Sequence, residues 1–114
     1  MRTDILNDEI RAAAQRIAGR VRQTPVIALE DGAFRSSARV WLKLELFQHN
    51  GSFKPRGAFN RMLSTDVPDS GVIAASGGNH GIAVAYAARQ LGHRAEIFLP
   101  MSASSVKVGR LRVL

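Results

Sequence analysis

Two short stretches concentrate the residues that could do chemistry. The first is Asn50-Gly51-Ser52-Phe53-Lys54-Pro55-Arg56-Gly57. Lysine is scarce, with three against thirteen arginines, and one of the three stands here. Ser52 is a good N-cap, and Pro55 suits a first helical turn, where its missing N–H costs nothing. The pattern predicts a helix from Ser52 to about Leu63, with Lys54 in its opening turn. The partial positive charge of a helix start and the guanidinium of Arg56 both disfavour an ammonium there. A neutral amine is what a Schiff-base lysine must be. The competing reading is a solvated lysine on a helix end.

The second stretch is Ser76-Gly77-Gly78-Asn79-His80-Gly81. It follows the apolar run Val72-Ile73-Ala74-Ala75 and precedes the alanine-rich Ile82 to Leu91. A glycine-rich turn between a strand and a helix lets backbone approach a ligand, and the helix start offers free N–H groups to an anion. Glycines at 77, 78 and 81 do not make the dinucleotide fingerprint, and no G-K-[ST] closes a nucleotide phosphate loop. A tight turn that only packs helix on strand is the alternative. Ser76 and His80 do not read as nucleophile and base, because no carboxylate is evident to orient the imidazole and the G-x-S-x-G elbow is missing. His49 and His93 read as surface or loop residues.

The elements that must position these stretches follow from periodicity and punctuation. Leu6, Ile10, Ala13, Ala14, Ile17 and Val21 have helical spacing behind a possible Asp4 cap, with Arg16, Arg20 and Arg22 late in the segment. Thr24-Pro25 stops that helix. Val26 to Leu29 reads as a short strand, Glu30 to Arg39 as a loop, and Val40 to Glu45 as an alternating strand. Leu46 to Gly51 reads as a loop into the lysine helix, whose apolar set is Phe53, Ala58, Met62 and Leu63. Ser64 to Gly71 is a turn-rich linker and the most plausible unit boundary. Val72 to Ala75, the glycine-rich turn, Ile82 to Leu91 stopped by Gly92, and Ala95 to Leu99 then make a βαβ unit, hence a parallel sheet. A further helix begins near Ser102. Such a piece leaves sheet edges and a face uncovered, so the expectation is the N-terminal part of a larger α/β fold.

Composition bounds the possibilities. The 114 residues are 46% hydrophobic and 22% charged, ordinary for a globular chain. The net charge of +7 raises the question of nucleic acid, but the arginines are dispersed and form no run of like charge. A basic anion- or nucleic-acid-binding module is the alternative from another functional class, although nucleic acid is not the expected partner. There is no cysteine, and the three histidines lack metal-ligand spacing, so neither a disulfide frame nor a metal site is expected. No stretch is apolar enough to span a bilayer, and no secretory leader is recognisable, so a cytoplasmic chain without a membrane partner is expected.

Taken together, G-S-F-K-x-R-G-A and S-G-G-N-H-G some twenty residues later resemble the threonine/serine dehydratase group of pyridoxal phosphate enzymes, with the tryptophan-synthase-β-like fold called fold type II. The resemblance runs from Thr24-Pro25 through Lys43-Leu44-Glu45 and Gln48 to Pro100 and Lys107. Cysteine synthases and threonine synthases differ, with an aspartate where this chain has Pro55. The resemblance implies pyridoxal 5'-phosphate as cofactor and an amino-acid substrate. It implies that Lys54 forms the Schiff base and later moves the Cα proton. Phe53 would flank the cofactor ring, and Asn79 would bond its 3' oxygen. Ser76, Gly77, Asn79 and His80 would surround the substrate carboxylate. The reaction would be dehydration and deamination of L-threonine or L-serine to a 2-oxo acid. Gly77 stands where serine racemases of the group carry a second serine, so elimination is expected over racemisation. A serine racemase or a 3-hydroxyaspartate dehydratase is the runner-up. Residues 1–66 would begin the larger cofactor domain, and residues 67–114 the smaller α/β domain. The group's phosphate loop and pyridine-nitrogen partner lie beyond residue 114, so these residues alone are expected to be inactive. A homodimer or homotetramer is expected when complete.

Overall fold

The computed structural model describes residues 6–114. Asp4, the expected cap of the first helix, lies outside the described residues. Helix α1 spans Asn7–Ile17, and the Leu6 N–H donates to Glu9 Oε2 at 2.9 Å. It ends earlier than its periodicity suggests, because Ala18 leaves helical geometry and Gly19 is left-handed (φ 75). Val21, Arg20 and Arg22 therefore fall past the helix and not in its last turn. Ile17 is the α1 residue that reaches the core.

Strands β1 (Val26–Ala28) and β2 (Trp41–Lys43) pair antiparallel, with Ile27 opposite Leu42. Strand β2 is shorter than its alternation predicts. Leu44 turns out of the ladder (ψ 72) and starts a 3-10 turn over Glu45–Phe47. A second 3-10 turn, His49–Gly51, leads into α2 (Lys54–Leu63).

Strands β3 (Val72–Ala75) and β4 (Ala95–Phe98) pair in parallel, joined by helix α3 (Asn79–Leu91). The expected βαβ unit is therefore present, and Gly92 closes α3 in the left-handed conformation (φ 77), as a C′ glycine does. Helix α4 covers Ser105–Arg112 and starts at the Ser104 cap, not at Ser102.

One core joins these parts. Ala58, Phe59 and Met62 of α2 meet Ala83, Val84, Ala87 and Ala88 of α3, with Ile17 and Ala74 alongside. The alanines keep the surface of α3 low, which lets α2 approach closely. Phe59 fills the space, at 1% exposure, and stands edge-on to Tyr86 with ring centroids 6.0 Å apart. Burying such a ring contributes about 2–3 kcal/mol. The apolar face of α2 thus differs from expectation. Phe53 precedes the helix and is 59% exposed, Leu63 is 37% exposed, and Phe59 takes the central place. Among the described residues no helix is long and apolar enough to cross a membrane, and no group of side chains could hold a metal ion.

Candidate active site

Lys54 opens helix α2, but a polar frame and not a simple serine cap sets it there. Asn50 (φ 62) and Gly51 (φ 73) are consecutive left-handed residues that swing the chain toward the helix start. Ser52 is extended and buried, and its Oγ accepts the Lys54 N–H at 3.4 Å. It therefore stands one residue ahead of the cap position that Phe53 takes. Pro55 occupies the first turn, as expected, and is buried.

Upstream, Gln48 is 2% exposed, and all its polar atoms are used. Its Oε1 accepts from the N–H groups of Arg22 and His49, and its Nε2 donates to the Arg22 carbonyl at 2.9 Å. Beside it, Arg56 donates twice to Glu45, from Nε to Oε2 and from its terminal nitrogen to Oε1, each at 2.8 Å. Thr24, also buried, donates its hydroxyl to Glu45 Oε1 and accepts from Lys43 Nζ at 2.8 Å. The Arg56 guanidinium, more than any other neighbour, draws the Glu45 carboxyl from an ordinary 4.5 down to about 2; burial opposes this and the Thr24 hydroxyl assists. Glu45 in turn raises the pKa of Arg56. Arg56, expected as a bare charge beside Lys54, is thus committed to a carboxylate. It pins the first turn of α2 to the segment after β2.

The lysine side chain lies on the open side of this frame. It is exposed, with Nζ 5.1 Å from the centre of the Phe53 ring. A cleft of about 590 Å³ opens beside it, bounded by α2, β3 and the first turns of α3. Phe53, Lys54 and His80 all line it, with Gly57, Met62 and Ile73. The two stretches that sequence reasoning singled out therefore meet. Ser76 and Gly77 line a different opening of about 440 Å³ with Phe98 and Pro100, which shares no lining residue with the cleft. Asn79 lines neither; it is exposed as the first residue of α3.

The three glycines of the turn divide the work. At Gly81 a Cβ would lie 2.7 Å from the Ser76 carbonyl oxygen and 2.9 Å from Ile97, so this glycine packs helix on strand. At Gly77 a Cβ would meet the Pro100 ring at 3.0 Å. At Gly78 it would meet nothing nearer than 4.0 Å. Only there does the missing side chain leave room above the turn. Ser76 borders that room, with Oγ accepting the Gly78 N–H at 3.2 Å. His49 is less superficial than expected: it packs on Tyr86 with centroids 5.0 Å apart, and its pKa is lowered by burial first and by Arg22 second.

These features fit pyridoxal phosphate. An exposed primary amine lies over an exposed aromatic face, beside a cleft within the size range of small-molecule sites, and a glycine-rich turn opens next to it. What sequence reasoning did not find is the frame behind the lysine. Thr24, Lys43, Glu45, Gln48 and Arg56 are apart in the chain, and nothing in their spacing announces that they converge.

Residues 17–114 match the family model described as "Pyridoxal-phosphate dependent enzyme". The chain is 39% identical over 106 residues to the L-threo-3-hydroxyaspartate ammonia-lyase of a Pseudomonas species, covering 91% of this chain and 33% of that protein. It is 39% identical over 103 residues to the catabolic L-threonine dehydratase of Escherichia coli K12, covering 89% of this chain and 31% of that one. Its structure superposes on maize serine racemase with a TM-score of 0.79 at 38% identity, over 93% of this chain and 33% of the racemase. The chain thus spans about a third of the length of the curated relatives it matches.

Proposed function

This chain belongs to the pyridoxal-phosphate dependent enzyme family, with the fold type II architecture, and on that premise we propose that it serves a threonine/serine dehydratase, an ammonia-lyase. When bound, pyridoxal phosphate supplies the electron sink for loss of the Cα proton. Lys54 would hold the cofactor, and its amine, once free again, would take the proton from Cα of L-threonine or L-serine. Phe53 would cover one face of the ring, and Asn79 would bond its 3' oxygen. Ser76, Gly77, Asn79 and His80 gather around the substrate carboxylate, with backbone N–H groups at the start of α3 directed to it. Loss of the β-hydroxyl as water, then hydrolysis, yields a 2-oxo acid and ammonia.

Elimination is favoured over racemisation by one residue. Gly77 has no side chain to return a proton to Cα from the face opposite Lys54. The proposal extends to a cytoplasmic protein that assembles as a homodimer or homotetramer, with residues 1–66 contributing to the cofactor domain and residues 67–114 to the smaller α/β domain.

The observation that carries this reading is the meeting of Lys54, Phe53 and His80 in one cleft. The test uses the full-length protein. Added cofactor should give a visible chromophore, borohydride should fix its mass on the peptide containing Lys54, and threonine or serine should release a 2-oxo acid. Lys54→Ala should abolish all three. Cofactor fixed elsewhere, or no oxo acid from either amino acid, refutes the reading.

A further inference from the structure

The sequence motifs leave one lysine without a task. Lys107 lies in the first turn of α4, where Ser104 caps the helix and its Oγ accepts the Lys107 N–H at 3.4 Å. That cap fixes where the side chain starts. The side chain is half-buried and runs back to the glycine-rich turn. A Cβ built at Gly78 would have Lys107 Nζ and Ser76 Oγ as its two neighbours, each at 4.0 Å. An ammonium and a hydroxyl therefore face the same small space above Gly78, at the N-terminal end of a 13-residue helix.

This arrangement is out of charge balance. The ion pairs among the described residues join Lys43 and Arg56 to Glu45, so neither involves Lys107. A half-buried cation set beside the positive end of a helix raises the local potential, and an anion placed between them gains from both. Gly78 keeps the gap open, since a side chain there would occupy it.

We propose that Lys107 is a substrate-binding residue whose ammonium pairs with the α-carboxylate of the amino acid held at the Ser76–Asn79 turn. This rests on the dehydratase reading above, and it adds a full charge to a subsite otherwise built of neutral groups and one imidazole. Recognition is then for the carboxylate itself. An amino-acid amide of the same shape loses the pairing.

The test is steady-state kinetics of the full-length holoenzyme with L-threonine, and inhibition by L-threoninamide. Lys107→Gln should raise KM for threonine roughly tenfold or more, as loss of a charge-assisted hydrogen bond does. It should leave kcat within a few-fold, leave the cofactor chromophore intact, and scarcely change the inhibition constant of threoninamide. Lys107→Arg should restore most of the KM. A purely structural role would instead weaken threonine and threoninamide equally, and that result overturns the assignment. So does an unchanged KM in Lys107→Gln with deamination intact, which leaves the dehydratase reading standing. A wild-type protein that binds cofactor at Lys54 but deaminates nothing removes both. If Lys107→Gln does not fold, Lys107→Met, which also removes the charge, decides: a shift confined to threonine supports the pairing, and none, or an equal shift for both ligands, refutes it.

Discussion

Replacing Glu45 by glutamine isolates the charge of the frame behind Lys54 while keeping its shape. The carboxyl is held near 2, against an ordinary 4.5, chiefly by the Arg56 guanidinium. A displacement of that size corresponds to at most about 3 kcal/mol of differential stability. The Glu45 side chain is 15% exposed and that of Arg56 30%, so solvent screens the pair, and about 1–2 kcal/mol is the working value. The sign follows from the direction of the shift. A carboxyl whose folded pKa is lowered contributes stability above its unfolded pKa and loses it as pH falls through the folded one. Urea unfolding followed by circular dichroism should therefore show Glu45→Gln about 1–2 kcal/mol less stable near neutral pH. Between about pH 4.5 and about pH 2 the wild-type protein should lose that advantage, and the two curves should converge. A gap of constant size across this range would refute the electrostatic account. It would place the contribution of Glu45 in packing alone.

Other substitutions test separate parts of the structure. Phe59→Ala should destabilise by about 3–5 kcal/mol in the same unfolding assay, since the ring is 1% exposed between α2 and α3. Gly81→Ala should cost about 1–3 kcal/mol, because its Cβ would press on the Ser76 carbonyl oxygen, and α3 would shift off the sheet. Gly78→Ala meets no such contact, so its stability should stay within about 0.5 kcal/mol of wild type while activity of the full-length holoenzyme falls. The 114-residue chain on its own should form no 2-oxo acid from threonine, as measured by a coupled dehydrogenase assay; detectable turnover would refute this.

The readable parts of the fold are those governed by local rules. The run Val72–Ala75, the glycine-rich turn, the alanine-rich helix and its Gly92 stop lie in one contiguous stretch, and the parallel β3–β4 pair follows from their order. The lysine and the S-G-G-N-H-G turn were legible for the same reason, and their meeting in one cleft follows from the direct packing of α2 on α3. The misreadings sit where tertiary contacts decide. Ser52 has the right chemistry for a cap, yet the left-handed pair Asn50-Gly51 delivers the chain so that helical geometry begins after it. Phe53 and Phe59 are equally apolar in the sequence, and only the docking of α3 assigns one to the cleft and the other to the core.

The position of Lys54 therefore depends on long-range chemistry more than on the motif that contains it. The helix start offers it one weak serine contact, whereas Arg56, two residues on, is held by a bidentate carboxylate that Thr24 also engages. Gln48 closes the same frame by tying the chain before α2 to Arg22. The Lys54 amine itself is left out of this network and stays exposed at the cleft. A frame saturated with internal bonds beside an amine free to react is an arrangement suited to holding a covalently attached group in one orientation while the nitrogen changes partners.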